Sequence, residues 1–254
     1  MIARDIVFWR SSVRRTVLAL SLLVSWRLLI MMAQFGGSSE MASWLGSWRP
    51  WPTVLMAACL GLFVFRRLTL RAGLLLCVLF LAADAAGNDP PGLEHAHLIP
   101  IAALFAYMLT AILKGTTPAA EEACWQSCRA VIGASYTLAG IAKLSQSGMG
   151  WINDYYLRLL ALNEAAWSVG FLRASRLWIA DSPRLCLSAS VYALIVELGG
   201  LALLSKRWRP YYTGALLLLH LEIFMGMNIL WPDQLLLLMS LGLPWERIAW
   251  KKTA

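Results

Sequence analysis

The stretch YTLAGIAKLS, Tyr136 to Ser145, decides how the rest of the chain is read. It closes an apolar segment that begins near Ala130, yet it carries Lys143 close to its end. Gly133, Tyr136, Gly140 and Lys143 recur at i, i+3, i+7 and i+10, so they form one stripe of a helix. Small residues on that stripe admit another backbone or a flat ligand, which turns Lys143 toward a packed interior. A lysine so placed loses solvation, and desolvation favours the neutral amine, a base or a nucleophile. The plainer alternative is a lysine whose ammonium snorkels to an interface.

Outward from this segment, the 254 residues are 59% hydrophobic and 14% charged. Soluble domains lie near about 45–50% and 25%, so both departures point to a bilayer. The composition and runs predict an all-α, polytopic membrane helical bundle of about eight transmembrane helices plus amphipathic interfacial helices. Apolar runs cover residues 16–35, 53–65, 72–86, 97–113, 130–144, 185–204, 211–230 and 234–243. Residues 145–184 are amphipathic and rich in aromatics, and read as interfacial or re-entrant helices. No linker or repeat divides the chain, so 1–254 is read as one integral-membrane domain. The basic start lacks a well-placed small-residue cleavage site, so no cleavable signal peptide is expected.

The net charge of +8 arises from short basic segments between apolar runs, among them Arg14 with Arg15, Arg66 with Arg67, Lys114 with Arg129, and Lys206 with Arg207. That is the pattern of topology determinants. It argues against a nucleic-acid partner and names the lipid bilayer instead. The bias predicts a multi-pass protein of the plasma (inner) membrane with both termini cytoplasmic. The Lys143 end of its helix then faces the extracytoplasmic side, as do Glu94, His95 and His97. Cys124 and Cys128, in CWQSC, lack redox or zinc spacing, and no metal site is expected.

Charged groups at membrane depth are functional candidates by default. They are Arg27, Lys143, Glu197, His220 and Glu222. His220 shares a face with Phe224 and Met227, whereas Glu222 points elsewhere and can pair with Arg27 or another cation. Glu197, beside Gly199 and Gly200, reads as a hydrogen-bonded carboxyl at a packing site or as a proton carrier. His95 and His97 open their span as interfacial histidines or as a pair that could bind a metal, though no third ligand accompanies them.

An aromatic residue, then Ala-Gly-hydrophobic-x-Lys-Leu, then a tryptophan is met by Tyr136, Ala139, Gly140, Ile141, Lys143, Leu144 and Trp151. A histidine followed by Met-Gly is met by His220, Met225 and Gly226. In these motifs the chain resembles the HTTM (horizontally transferred transmembrane) family, which contains the vitamin K-dependent gamma-glutamyl carboxylase. The resemblance implies a membrane enzyme whose lysine base activates a quinol for oxygenation or carboxylation chemistry on an extracytoplasmic or partner-delivered substrate. It implies a reduced quinone of the vitamin K or menaquinol type, with O2 and CO2 as co-substrates. By position it makes Lys143, His220 and His97 catalytic, and puts Tyr136, Gly140, His95, Trp151 and Met227 near the quinone. Ala142 stands where the carboxylase has a second lysine, and the chain ends soon after its last span, which favours a small or partner-delivered substrate. The family also implies an alternative: a non-catalytic maturation or export partner of a secreted peptide.

Overall fold

The computed structural model describes residues 12–28, 50–64, 73, 78, 99–115, 117–243 and 245. The described elements are helical: α1 (residues 12–28), α2 (Pro50–Val64), α3 (Ile99–Lys114), α4 (Pro118–Ser147), α5 (Tyr155–Trp167), α6 (Gly170–Ala180), α7 (Pro183–Leu198), α8 (Arg209–Met227) and α9 (Pro232–Gly242). Short 3-10 turns follow α4, at Gly148–Trp151, and α7, at Gly200–Leu204. The all-α reading therefore holds among the described residues. Among them no single helix is long and apolar enough to cross a membrane; α6 and α7 pass that test together, but are bent by 92°.

The chain divides into two compact units, Met1–Val131 with Pro232–Ala254, and Ile132–Trp231. In the first, α1 is held to α9 by Ser25 Oγ, which donates to Asp233 Oδ2 at 2.8 Å, and by Ser21 Oγ, which donates to the Asp233 carbonyl at 2.6 Å. Thr110 on α3 donates to Ser127 Oγ on α4 at 2.7 Å. Phe63, Tyr107 and Trp125 stack edge to face, with centroids 5.3 and 5.0 Å apart.

Three arginines expected in basic segments between spans sit on helices instead, and are buried: Arg14, Arg15 and Arg129. A buried cation needs a carboxylate and further acceptors. Arg15 pairs with Glu121 and donates to the Val64 carbonyl. Arg129 reaches Glu122 at 2.9 Å, Gln126 at 3.0 Å and the Leu241 carbonyl at 3.0 Å. These acids explain why α4 starts at Pro118 although the residues before 130 read as a polar loop. Thr117 supplies a side-chain cap, its Oγ1 accepting from the Ala120 N–H at 3.2 Å, and proline suits a helix's first turn. Cys124 and Cys128 thus lie on a helix and are buried. Burial pushes both thiols up from their ordinary value, leaving poor nucleophiles.

In the second unit, the end of α4 packs on the α7 end through the glycine stripe. A Cβ at Gly133 would lie 2.7 Å from the Gly200 carbonyl oxygen, and one at Gly140 would lie 3.0 Å from the Leu198 nitrogen. No side chain fits between them, so the backbones touch. Helix α7 begins on Ser182 and Pro183 and gives way at Gly199–Gly200 to the 3-10 turn, which shortens the expected run over 185–204. Helix α8 ends at Asn228 in the left-handed region, φ 57°, its N–H bonded to the Phe224 carbonyl at 3.0 Å.

Arg176 of the amphipathic α6 is buried against that end. Its Nε donates to the Met225 carbonyl at 3.1 Å, and its Nη2 to Asn228 Oδ1 at 2.8 Å and the Phe224 carbonyl at 3.4 Å. Its Nη1 donates to Ser168 Oγ. A cation at a helix C-terminus meets the negative end of the dipole and its unbonded carbonyls.

Candidate functional site

Lys143 and Glu197 come from α4 and α7, brought together where Gly140 lets α4 lie against Leu198. Lys143 Nζ donates to Glu197 Oε1 at 2.5 Å. The lysine side chain keeps 25% of its exposure and the glutamate 8%, so the acid is the enclosed partner. The other face of the ammonium meets the Trp151 ring, 4.6 Å from its centroid, a cation–π distance. Lys143 thus meets a carboxylate that α7 supplies and that the α4 segment could not announce.

Two polar atoms around this pair have no hydrogen-bond partner among the described residues: Glu197 Oε2 and Trp151 Nε1, both buried. The hydroxyl of Tyr212, beside Gly199, is in the same condition. Buried groups in this state are rare and carry a cost of about 1–3 kcal/mol each.

A second pairing lies on the same stripe of α4. The Tyr136 hydroxyl and His220 Nε2 are 2.7 Å apart, and the His220 ring meets Trp231 edge to face, with centroids 5.6 Å apart. His220 is buried. Met227 is the last residue of α8, and Gly140 serves as a packing contact for Leu198. His95 and His97 lie outside the described residues. Of the expected site residues that are described, the structure brings Lys143 to Trp151 and Tyr136 to His220.

The sequence reading left Glu197 and Glu222 without their partner. Glu222 lies within electrostatic reach of Lys143 and Glu197, and Arg27, its suggested cation, is exposed on α1. The only signal for either acid was its isolation in an apolar run. Glu222 also lines a 680 Å³ pocket among α5, α6, α7 and α8, with walls that include Leu157, Ile179, Tyr192 and Leu221. Neither Lys143 nor His220 is on its wall. Among the described residues, no three His, Cys, Asp or Glu side chains converge as metal ligands would.

Comparison with family models, curated proteins and solved structures yields no match.

Proposed function

We propose that the chain is a membrane-embedded enzyme of the HTTM, carboxylase-like type, in which Lys143 takes a proton from a reduced quinone. The observation that carries this reading is the enclosed Lys143–Glu197 pair beneath Trp151. The apolar composition and the paired α6–α7 arms support a bilayer setting. The polar atoms left over at the pair fit a dihydroxy aromatic: Glu197 Oε2 would accept from a hydroxyl, and the Trp151 N–H would donate to an oxygen.

A bound quinol supplies an acidic hydroxyl and, once ionised, electrons for reaction with O2. The chain supplies the proton path. Lys143 passes a proton to Glu197 Oε1 along the existing contact, leaving an amine and a carboxylic acid. The amine would then accept the proton of a quinol hydroxyl held there, and the new ammonium would be stabilised over the Trp151 ring. Tyr136 orients His220 as a second proton acceptor nearer the middle of α8. In the carboxylase form of this reading CO2 is a further co-substrate and the substrate is extracytoplasmic or partner-delivered, with both chain termini cytoplasmic.

The test is oxygen uptake by the purified full chain in lipid nanodiscs supplied with menaquinol. Uptake above that of empty nanodiscs, lost in Lys143→Met and Glu197→Gln, is the expected result. Uptake unchanged in Lys143→Met overturns the reading.

A second reading, a maturation or export partner of a secreted peptide, is supported by exposed aromatic side chains on α5 and α6. Trp167, Phe171 and Trp178 are 83%, 76% and 64% exposed, a surface suited to an apolar partner. Under it, peptide maturation survives Lys143→Met.

A further inference from the structure

The pocket among α5 to α8 contains a carboxylate with nothing to hold. Glu222 is half-buried, and makes no hydrogen bond and no ion pair among the described residues. The other polar groups on the wall are mostly committed. Tyr192 donates to the Ala215 carbonyl at 2.6 Å, and Ser188 to the Arg184 carbonyl at 2.8 Å. The neighbouring cation, Lys143, is already engaged by Glu197 at 2.5 Å. Lys143 and Glu197 lie within electrostatic reach of Glu222, and of the three only Glu222 reaches the pocket.

The rest of the wall is mostly apolar and includes the exposed side chains of Phe171 and Trp178. A volume of 680 Å³ lies within the range of about 300–1,000 Å³ in which proteins hold small organic ligands. A carboxylate drawn partly out of water and facing an apolar wall is stabilised by a cation placed beside it. We infer that this pocket binds an amphiphile with an apolar body and a cationic amine head, the head pairing with Glu222. This site is separate from the Lys143–Glu197 contact, and its occupant need not take part in the chemistry proposed there.

The test uses the full chain in phosphatidylcholine nanodiscs, with N,N-dimethyldodecylamine as the probe and dodecanol as its neutral counterpart of equal chain length. Binding is read above the empty-nanodisc background. The amine is expected to saturate at one molecule per chain and to bind at least about tenfold more tightly than the alcohol, a charge-assisted contact being the stronger. Glu222→Gln removes that preference and leaves the alcohol unchanged, whereas Ala189→Trp, which fills the pocket from its wall, abolishes amine binding with the acid intact. Equal binding of amine and alcohol by the wild type overturns the inference, as does full amine binding by either variant. Oxygen uptake is not part of this readout, so either proposal can fail alone.

Discussion

The hydroxyl of Tyr136 and Nε2 of His220 meet at 2.7 Å, joining the middle of α4 to the middle of α8 inside one compact unit. Tyr136→Phe removes this bond while keeping the ring. The expected loss is about 1–3 kcal/mol, seen as a fall of several degrees in Tm. The double variant Tyr136→Phe with His220→Ala should lose less than the two single losses added, since both remove one contact. Additive losses would show that the two side chains do not act on each other.

Lys143→Met leaves Glu197 enclosed with its cation gone. Breaking a buried pair from one side costs about 3–5 kcal/mol, and the partial exposure of Lys143 puts this case at the lower end. Lys143→Met combined with Glu197→Gln restores most of the lost stability without restoring activity. Denaturant titration of the three variants separates the two effects.

Gly133→Ala should be among the most damaging single-methyl changes in the chain. Its Cβ would meet a backbone carbonyl oxygen at 2.7 Å, and a backbone cannot rotate away as a side chain can. A cost of about 1–3 kcal/mol is expected from overpacking. Gly214→Ala in α8 is the control: nothing lies within 4 Å of its Cβ. Alanine is the better helix former by about 1 kcal/mol, so Gly214→Ala should hold or raise Tm.

Arg176→Lys keeps the charge and loses the fork that spans Met225, Phe224 and Asn228. A loss of about 1.5–3 kcal/mol follows from hydrogen bonds made by a charged group. Hydrogen exchange should quicken first at the C-terminal turn of α8, where the carbonyls it serves are found. Uniform exchange along α8 would count against this role.

Cys124 and Cys128 should resist maleimide in the folded protein at pH values where a free thiol reacts, near its ordinary value of about 8.5. Burial raises both, so the thiol form persists as pH rises through that point. Unfolding should expose both to rapid labelling. Fast labelling of the native chain would mean that the α3–α4 packing, in which the Cys128 thiol donates to the Ala103 carbonyl at 3.2 Å, opens readily.

The helices were legible where periodicity or punctuation was local. The stripe of Gly133, Tyr136, Gly140 and Lys143 predicted a packing face, and α4 uses it as one against Gly200 and Leu198. The amphipathic character of residues 145–184 anticipated short helices in place of one long run. The start of α4 was hidden because Glu121 and Glu122 read as loop residues until Arg15 and Arg129 were seen to need them. The partner of Lys143 was hidden for a similar reason. Glu197 lies on another helix, and no spacing in one dimension records a contact made across two. The role of Arg176 had no signal in the sequence, since its acceptors include carbonyls at the end of α8, groups that every residue carries and no sequence pattern distinguishes.

Between Ala180 and Pro183 the chain turns through 92°. Arg158 fastens the corner from α5, its Nε donating to the Ala180 carbonyl at 2.8 Å. A sliding window of hydropathy blends the two arms into a single traverse, but a right angle makes them separate strokes with separate directions. Under the membrane reading proposed above, sidedness is a matter of parity, odd or even, and one miscounted stroke inverts every assignment downstream. Reporters fused after Trp167 and after Leu198 bracket the corner, and their agreement or disagreement fixes the parity of everything beyond it.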